Sequence, residues 1–365
     1  MGADLAAPAR RPVDPSGDAF GTHRGVLPPR ALPQQAWRLD NDFTRLFQGE
    51  TLVEVETLNI DAASFAQMEE AARQAGASGE DALGAEVAHI VVRTVNDRGK
   101  QHNPATGSGG MLLGRVVQVG AGRADTLAPG DRIASLVSLS LTPLRVDRVR
   151  AVRRASAQID IDGEAVLFAS SACARLPGDL PERVALAALD VAGAAPQVAR
   201  LVAPGQIVVV LGAGGKSGVL CVAEARRRGG AAAFVVGVES SPAAAGDLRS
   251  LGFCDAIVSI DARDAIEVRR AVLEATGGRE ADVTFSCVNV PDAEMAAVLV
   301  TRDRGVAYFF AMSTSFTRAA LGAEGVGKDV DLFIGNGYAR GHAEHTLAML
   351  RDFPAVRALF EKRYG

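Results

Sequence analysis

Apolar and polar side chains change places almost every residue along Thr51-Leu52-Val53-Glu54-Val55-Glu56-Thr57-Leu58-Asn59-Ile60, the period of a half-buried strand. A helical period over residues 62–74 follows. Residues 87–95 read as a second strand and residues 114–119 as a third, entered through the turn Thr106-Gly107-Ser108-Gly109-Gly110. The first ~20 residues, rich in Ala, Pro, Gly and Asp, hold neither period, so a loosely held arm is expected, with order starting near Gly21. At Leu176-Pro177-Gly178-Asp179-Leu180-Pro181 the pattern changes. Short apolar runs at 207–211, 233–238, 256–259, 283–286 and 305–310 alternate with helical stretches such as 218–228 and 262–275, the rhythm of a parallel sheet with helical crossovers. The chain therefore reads as α/β, with a strand-rich first domain and a doubly wound second one.

The strongest local signal is the run Ile207-Val208-Val209-Val210-Leu211-Gly212-Ala213-Gly214-Gly215-Lys216-Ser217-Gly218, an apolar strand leading into a glycine turn and then a helix. Such a turn brings backbone N–H groups up to a pyrophosphate at the positive end of the helix. Gly212, Gly215 and Gly218 form the tight turn; Gly214 and Lys216 lie within it, and Ser217 takes the third glycine position of the stricter Gly-x-Gly-x-x-Gly spacing. Glu239 follows the second strand of this domain, where a carboxylate accepts from ribose hydroxyls and repels a 2′-phosphate. NAD is favoured on that ground, while Ser240 and Ser241 leave NADP open. Ser286, Cys287 and Val288, and likewise Ala311 and Met312, follow the fourth and fifth strands and are expected near the nicotinamide.

Bulk properties narrow the field. With 365 residues, two domains are expected, and the net charge of −4, without a basic stripe, argues against a nucleic-acid partner. Cys173, Cys221, Cys254 and Cys287 are far apart in sequence and read as buried packing residues, so neither a disulfide framework nor a structural zinc site is indicated. No signal peptide or membrane span is visible, and a cytoplasmic location is expected. His342 and His345 have a spacing that suits a metal only with a further ligand; packing is the alternative.

The order of strand-rich domain, dinucleotide unit and C-terminal tail resembles the medium-chain dehydrogenase/reductase superfamily. Residues 109–120 together with Leu127-Ala128-Pro129-Gly130-Asp131-Arg132 look like its Gly-His-Glu segment and Pro-Gly-Asp-Arg turn. The resemblance implies a GroES-like catalytic domain at 1–176, a Rossmann domain at 177–328, and a return of 329–365 to the catalytic domain. Gly110 and Met111 replace the zinc-binding His and its Glu, and Asn59 stands where zinc members place a cysteine, so no zinc is implied. More narrowly, Gly21-Thr22-His23-Arg24, residues 32–41, residues 103–111 and residues 335–344 resemble the L-erythro-3,5-diaminohexanoate dehydrogenase family. That family implies NAD-dependent oxidative deamination of a small diamino acid in lysine fermentation. A zinc-free, NADPH-dependent quinone or enoyl reductase is the enzymatic alternative, and a nucleotide-binding protein without turnover is the non-enzymatic one. The superfamily also implies a homodimer.

Oxidising an amine by hydride transfer requires a group that first takes a proton from the ammonium. Asp190, among Ala, Leu and Val on the helix that the resemblance places beside the nicotinamide, is the leading acid/base or ammonium contact, with a solvent-facing helix carboxylate as the alternative. Asp61 is a second candidate, or a helix cap, and His102 a third. Asn59 and Asn103 are expected to contact substrate, and His23 and Arg24 to meet its carboxylate or simply to pack.

Overall fold

The computed structural model of the protein describes residues 10–365 apart from 104–106, 122–126 and 312 and the side chains of residues 62 and 63. The chain divides into two compact units, Met1–Leu176 and Pro177–Gly365.

In the first unit, β1 (Val13–Asp14), β2 (Gly25–Leu27), β3 (Arg38–Leu39) and β4 (Leu46–Phe47) make two short pairs, β1 with β4 and β2 with β3. β5 (Thr51–Asn59) is followed by α1 (Ala62–Gln74) and α2 (Glu80–Arg98). Then come β6 (Met111–Gln118), β7 (Arg132–Ser135), β8 (Leu144–Arg153), β9 (Gln158–Leu167) and β10 (Cys173–Arg175). The other six strands form one antiparallel sheet in the order β10-β7-β6-β5-β9-β8. Val53, Val55, Leu58, Leu112, Ile159 and Ile161 from the strands meet Val87, Val91 and Val95 from α2 in a single core.

Residues 87–95 are thus helical, not a strand. Leu83, Val87, Val91 and Val95 recur every four residues on the buried face, and Gly99 ends the helix in the left-handed conformation. The β-branched side chains that suggest a strand here are outweighed by that stripe. The N-terminal arm is likewise fixed well before Gly21: β1 pairs with β4, Arg11 pairs with Glu164 at 2.5 Å, and its backbone N–H donates to Gln118.

The second unit runs α3 (Glu182–Leu189), α4 (Ala194–Leu201), β11 (Ile207–Leu211), α5 (Lys216–Gly229), β12 (Phe234–Val238), α6 (Pro242–Leu251), β13 (Ala256–Val258) and α7 (Ala265–Ala275). It continues with β14 (Ala281–Ser286), α8 (Glu294–Val300), β15 (Thr301–Phe309), α9 (Phe316–Val326), β16 (Asp331–Ile334), α10 (His342–Asp352) and α11 (Pro354–Tyr364). All neighbours are parallel, in the order β13-β12-β11-β14-β15-β16. This is the doubly wound Rossmann order, with a sixth strand beyond the five expected, and its switch point lies between β11 and β14.

Residues 329–365 are grouped with this unit. β16 pairs with β15, while α10 and α11 bury Leu347, Leu350, Val356 and Phe360 and pack on α3, α4 and α5. Their apolar faces are satisfied there. No single described helix is long and apolar enough to cross a membrane; α3 and α4 are largely buried.

The strands of the first unit are tied to its N-terminal segment by one buried ion cluster. Every N–H of the Arg24 guanidinium is used: Nε and Nη2 donate to the two Glu50 oxygens at 2.8 Å, and the others reach Asp40, the Asp42 carbonyl and the Arg45 carbonyl. Glu50 also accepts from the Phe47 N–H and stands 2.8 Å from His23 Nε2. Burial opposes charge on His23, yet Glu50 and Asp18 together hold its pKa above the usual histidine value. Replacing one member of such a cluster leaves the other charge buried and unpaired, so Glu50→Gln is expected to cost about 3–5 kcal/mol. Urea denaturation followed by circular dichroism checks this; a loss below about 1 kcal/mol would show that the cluster does not hold the segment in place.

Candidate active site

The glycine turn follows directly from how β11 ends. All five residues of that strand are buried, and the chain leaves it through Gly212 at φ +70°. The Gly212 and Ala213 amides both donate to the Val238 carbonyl at the end of β12. The next turn is so tight that a Cβ on Gly218 would lie 2.1 Å from the Gly212 carbonyl oxygen. The Gly214 N–H donates to Glu239 Oε2 at 2.9 Å, and Glu239 Oε1 accepts from the Ser241 N–H at 2.9 Å. α5 then starts at Lys216 with Gly215 as its cap and no side-chain acceptor there, which leaves first-turn amides to an incoming anion.

Of the residues expected near the nicotinamide, Ser286, Cys287 and Val288 lie beside this turn. Cys287 is anchored by its N–H to the Leu211 carbonyl, Ser286 is buried at the end of β14 and accepts from the Phe310 N–H, and a Cβ on Gly212 would stand 3.2 Å from Val288. Ala311 follows β15, half-buried; Met312 lies outside the described residues. Asp190 caps the C-terminal end of α3, is exposed rather than buried among the apolar residues around it, and pairs with Lys216 Nζ at 2.7 Å. Lys216 Nζ also stands 5.5 Å from the centre of the Tyr364 ring. Arg363, next to Tyr364 in α11, donates to the Gly214 carbonyl at 2.7 Å and pairs with Asp247. Nothing local in the sequence signals this, since Arg363 and Gly214 are 149 residues apart.

In the first unit, a second group of candidates converges. Asp61 caps α1, accepting from the Ser64 N–H at 2.8 Å and from its hydroxyl at 2.7 Å. Asn103 Nδ2 donates to the same hydroxyl at 2.8 Å, which makes Asp61, Ser64 and Asn103 one hydrogen-bonded chain. Asn59 Oδ1 accepts from Gln158, and its backbone carbonyl lies against Gly110, where φ is +85° and a Cβ would approach to 2.2 Å. A side chain at 110, histidine included, does not fit this backbone.

His102, next to Asn103, has a buried Nδ1 with no hydrogen-bond partner among the described residues. Burial, together with the charges of Arg98 and Lys100, pushes its pKa below the ordinary histidine value. Lys100 is itself buried, donating to the Pro33 and Ala36 carbonyls at 2.7 Å, and its pKa is pushed down to about 8, mainly by burial.

His23 and Arg24, expected to face a substrate carboxylate, are committed to Glu50, Asp18 and Asp40; the packing alternative holds because the guanidinium has no donor left to offer. His345 contacts Arg227 and Glu224, and His342 packs edge-on against the Tyr338 ring. Among the described residues, no group of three or more His, Cys, Asp or Glu is arranged to hold a metal.

A family profile described as the L-erythro-3,5-diaminohexanoate dehydrogenase N-terminal domain matches residues 23–177. Two proteins named L-erythro-3,5-diaminohexanoate dehydrogenase, from Acetoanaerobium sticklandii and Fusobacterium nucleatum, are each 47% identical to the chain over 95% of its length and 99% of theirs. Among solved structures, a 2-haloacrylate reductase superposes with a TM-score of 0.52 at 18% identity, over 86% of this chain and 80% of that one, a likeness of fold. The chain is an oxidoreductase, and it belongs to the L-erythro-3,5-diaminohexanoate dehydrogenase family.

Proposed function

We propose that the protein carries out the NAD-dependent oxidative deamination of L-erythro-3,5-diaminohexanoate at C3, giving 5-amino-3-oxohexanoate, ammonium and NADH, as a cytoplasmic step of lysine fermentation. The observation that carries this reading is the 47% identity to the two named dehydrogenases along 95% of the chain. The glycine turn, the α5 amides and Lys216 suit the pyrophosphate. Each Glu239 oxygen accepts one backbone N–H and keeps lone-pair capacity for ribose hydroxyls, while its charge disfavours a 2′-phosphate. Bound nicotinamide supplies the hydride acceptor. Asn59, Gly110 and Met111 stand where zinc members place their metal site, so the proposed chemistry uses no metal.

The substrate ammonium must lose a proton before hydride leaves C3, and water must then add to the iminium carbon to expel ammonium. Of the three candidate bases, His102 fits best. Both Asp61 oxygens are held by Ser64, and Asp190 is paired with Lys216, whereas His102 Nδ1 is unpartnered among the described residues and its lowered pKa keeps the imidazole neutral at neutral pH. Asp190 instead orients Lys216 at the start of α5.

A homodimer is proposed through β16. That strand ends its sheet, Ile334 is 59% exposed, and Leu321 and Val326 on the adjacent α9 are exposed as well.

Steady-state kinetics with the diamino acid and NAD test the enzymatic reading. His102→Gln is expected to lower kcat by about 10²-fold or more, with the fold retained. In the wild type, kcat/KM should fall as pH drops through a value below 6.5, because the required neutral imidazole is lost there; this limb should vanish in the variant. Asp190→Asn should chiefly raise KM for NAD. Unchanged turnover in His102→Gln would remove His102 from the reaction. Light scattering should give the mass of two chains for the wild type and of one for Ile334→Lys; a monomeric wild type would overturn the dimer.

A further inference from the structure

Two of the four cysteines, 66 residues apart in sequence, meet beside the glycine turn. Cys221 lies on α5, five residues beyond Lys216, and is 1% exposed; Cys287 follows β14 and is partly exposed. Their sulfurs are 3.7 Å apart. Both thiols are free, and a disulfide requires the sulfurs to close from that separation to about 2.05 Å. Cys287 is fixed at the turn: its N–H is bonded to the Leu211 carbonyl, and a Cβ on Gly212 would stand 3.2 Å from its carbonyl carbon.

We propose that Cys221 and Cys287 form a peroxide-driven, reversible disulfide that closes the dinucleotide site. The second half of this statement rests on the reading of the glycine turn as that site; the first half does not.

The two thiols differ in a way that orders the steps. Hydrogen bonding from Cys221, and then from Ser217, holds the Cys287 pKa below that of a free thiol, against burial, while Cys221 is shifted well upward by the same bond and by burial. Cys287 is also the more exposed. Its thiolate attacks one oxygen of hydrogen peroxide, the O–O bond breaks, and Cys287 sulfenic acid and hydroxide form; hydroxide takes up the proton released by Cys221. The Cys221 sulfur then attacks the sulfenyl sulfur, the S–O bond breaks, and the departing hydroxide takes up the proton that Cys287 released on forming its thiolate, leaving as water. Two thiols and one peroxide give one disulfide and two waters, with two electrons passing from sulfur to peroxide oxygen. Cys254 is a poor competitor, since burial pushes its pKa up to about 12.

Closing the bond draws the segment after β14 toward α5, across the place where the nicotinamide end of a dinucleotide is expected. By linkage, a bound dinucleotide should then disfavour the disulfide at equilibrium by the same factor by which the disulfide weakens binding.

The test uses the full-length protein, oxidised with hydrogen peroxide, alkylated and mapped by mass spectrometry, with NADH binding followed by fluorescence on reduced and oxidised samples. The expected results are a loss of two hydrogens, a linked peptide pair holding Cys221 and Cys287, reversal by dithiothreitol, and an NADH affinity lower by about tenfold or more after oxidation. Cys221→Ser should instead trap Cys287 with one or more added oxygens. A linkage to Cys173 or Cys254, or no linkage while Cys287 goes straight to sulfonic acid in the wild type, would overturn the disulfide. A linked pair that leaves NADH affinity unchanged would overturn the closure. Reduced protein that binds no NADH would instead count against the dinucleotide reading, and the linked peptide would still report on the cysteines by itself.

Discussion

The Gly214 amide, at the tip of the strand-to-helix turn, needs an acceptor that leaves the outer face of the turn open, and it finds one in the Glu239 carboxylate, 25 residues further along. Because Glu239 also takes the Ser241 amide, one buried charge joins the ends of two neighbouring parallel strands, β11 and β12. Hydrogen bonds to a charged acceptor are worth about 1.5–3 kcal/mol each, enough to keep the turn closed without side chains filling it. The close approach of backbone to backbone follows, and with it the exclusion of any Cβ at Gly218, while no side chain caps the first amides of α5. The first unit uses the same principle for a different end. There Glu50 is the buried carboxylate, and the Arg24 guanidinium, His23 and the Phe47 amide surround it to hold the N-terminal segment on the sheet.

How much of this was legible in the sequence depended on distance along the chain. The glycine turn and the strands around it could be read because strand, turn and helix are consecutive, and because the second unit repeats one local pattern. α2 was harder: Val87, Val91, Val92 and Val95 carry strand propensity, and only the four-residue spacing of Val87, Val91 and Val95 against the core reveals the helix. The N-terminal arm misled for another reason. Its composition is that of a loose segment, but Arg11 and the β1 pairing fix it through residues 33 to 153 positions away. Asp190 meeting Lys216, Arg363 meeting the Gly214 carbonyl, and Cys221 meeting Cys287 are tertiary coincidences of this kind, with no periodic trace in the sequence.

The site residues divide in the same way. Ser286, Cys287 and Val288 lie beside the turn, whereas of those named for their chemistry some are consumed by structure: His23 and Arg24 in the ion cluster, Asp61 in capping α1. What marks His102 is the opposite condition, a buried nitrogen with no partner among the described residues. Burying a polar atom without a hydrogen bond is costly, and such an atom becomes useful when a substrate ammonium supplies the missing donor.

The most direct measurement of the account is stoichiometry: limiting L-erythro-3,5-diaminohexanoate consumed to completion with excess NAD, with NADH followed by absorbance and ammonium assayed in the same sample. The account predicts one NADH and one ammonium per substrate molecule, with no consumption of NADPH when a quinone or an activated alkene is offered instead. NADPH oxidation by those acceptors, with the diamino acid left intact, would contradict it and leave only the fold standing.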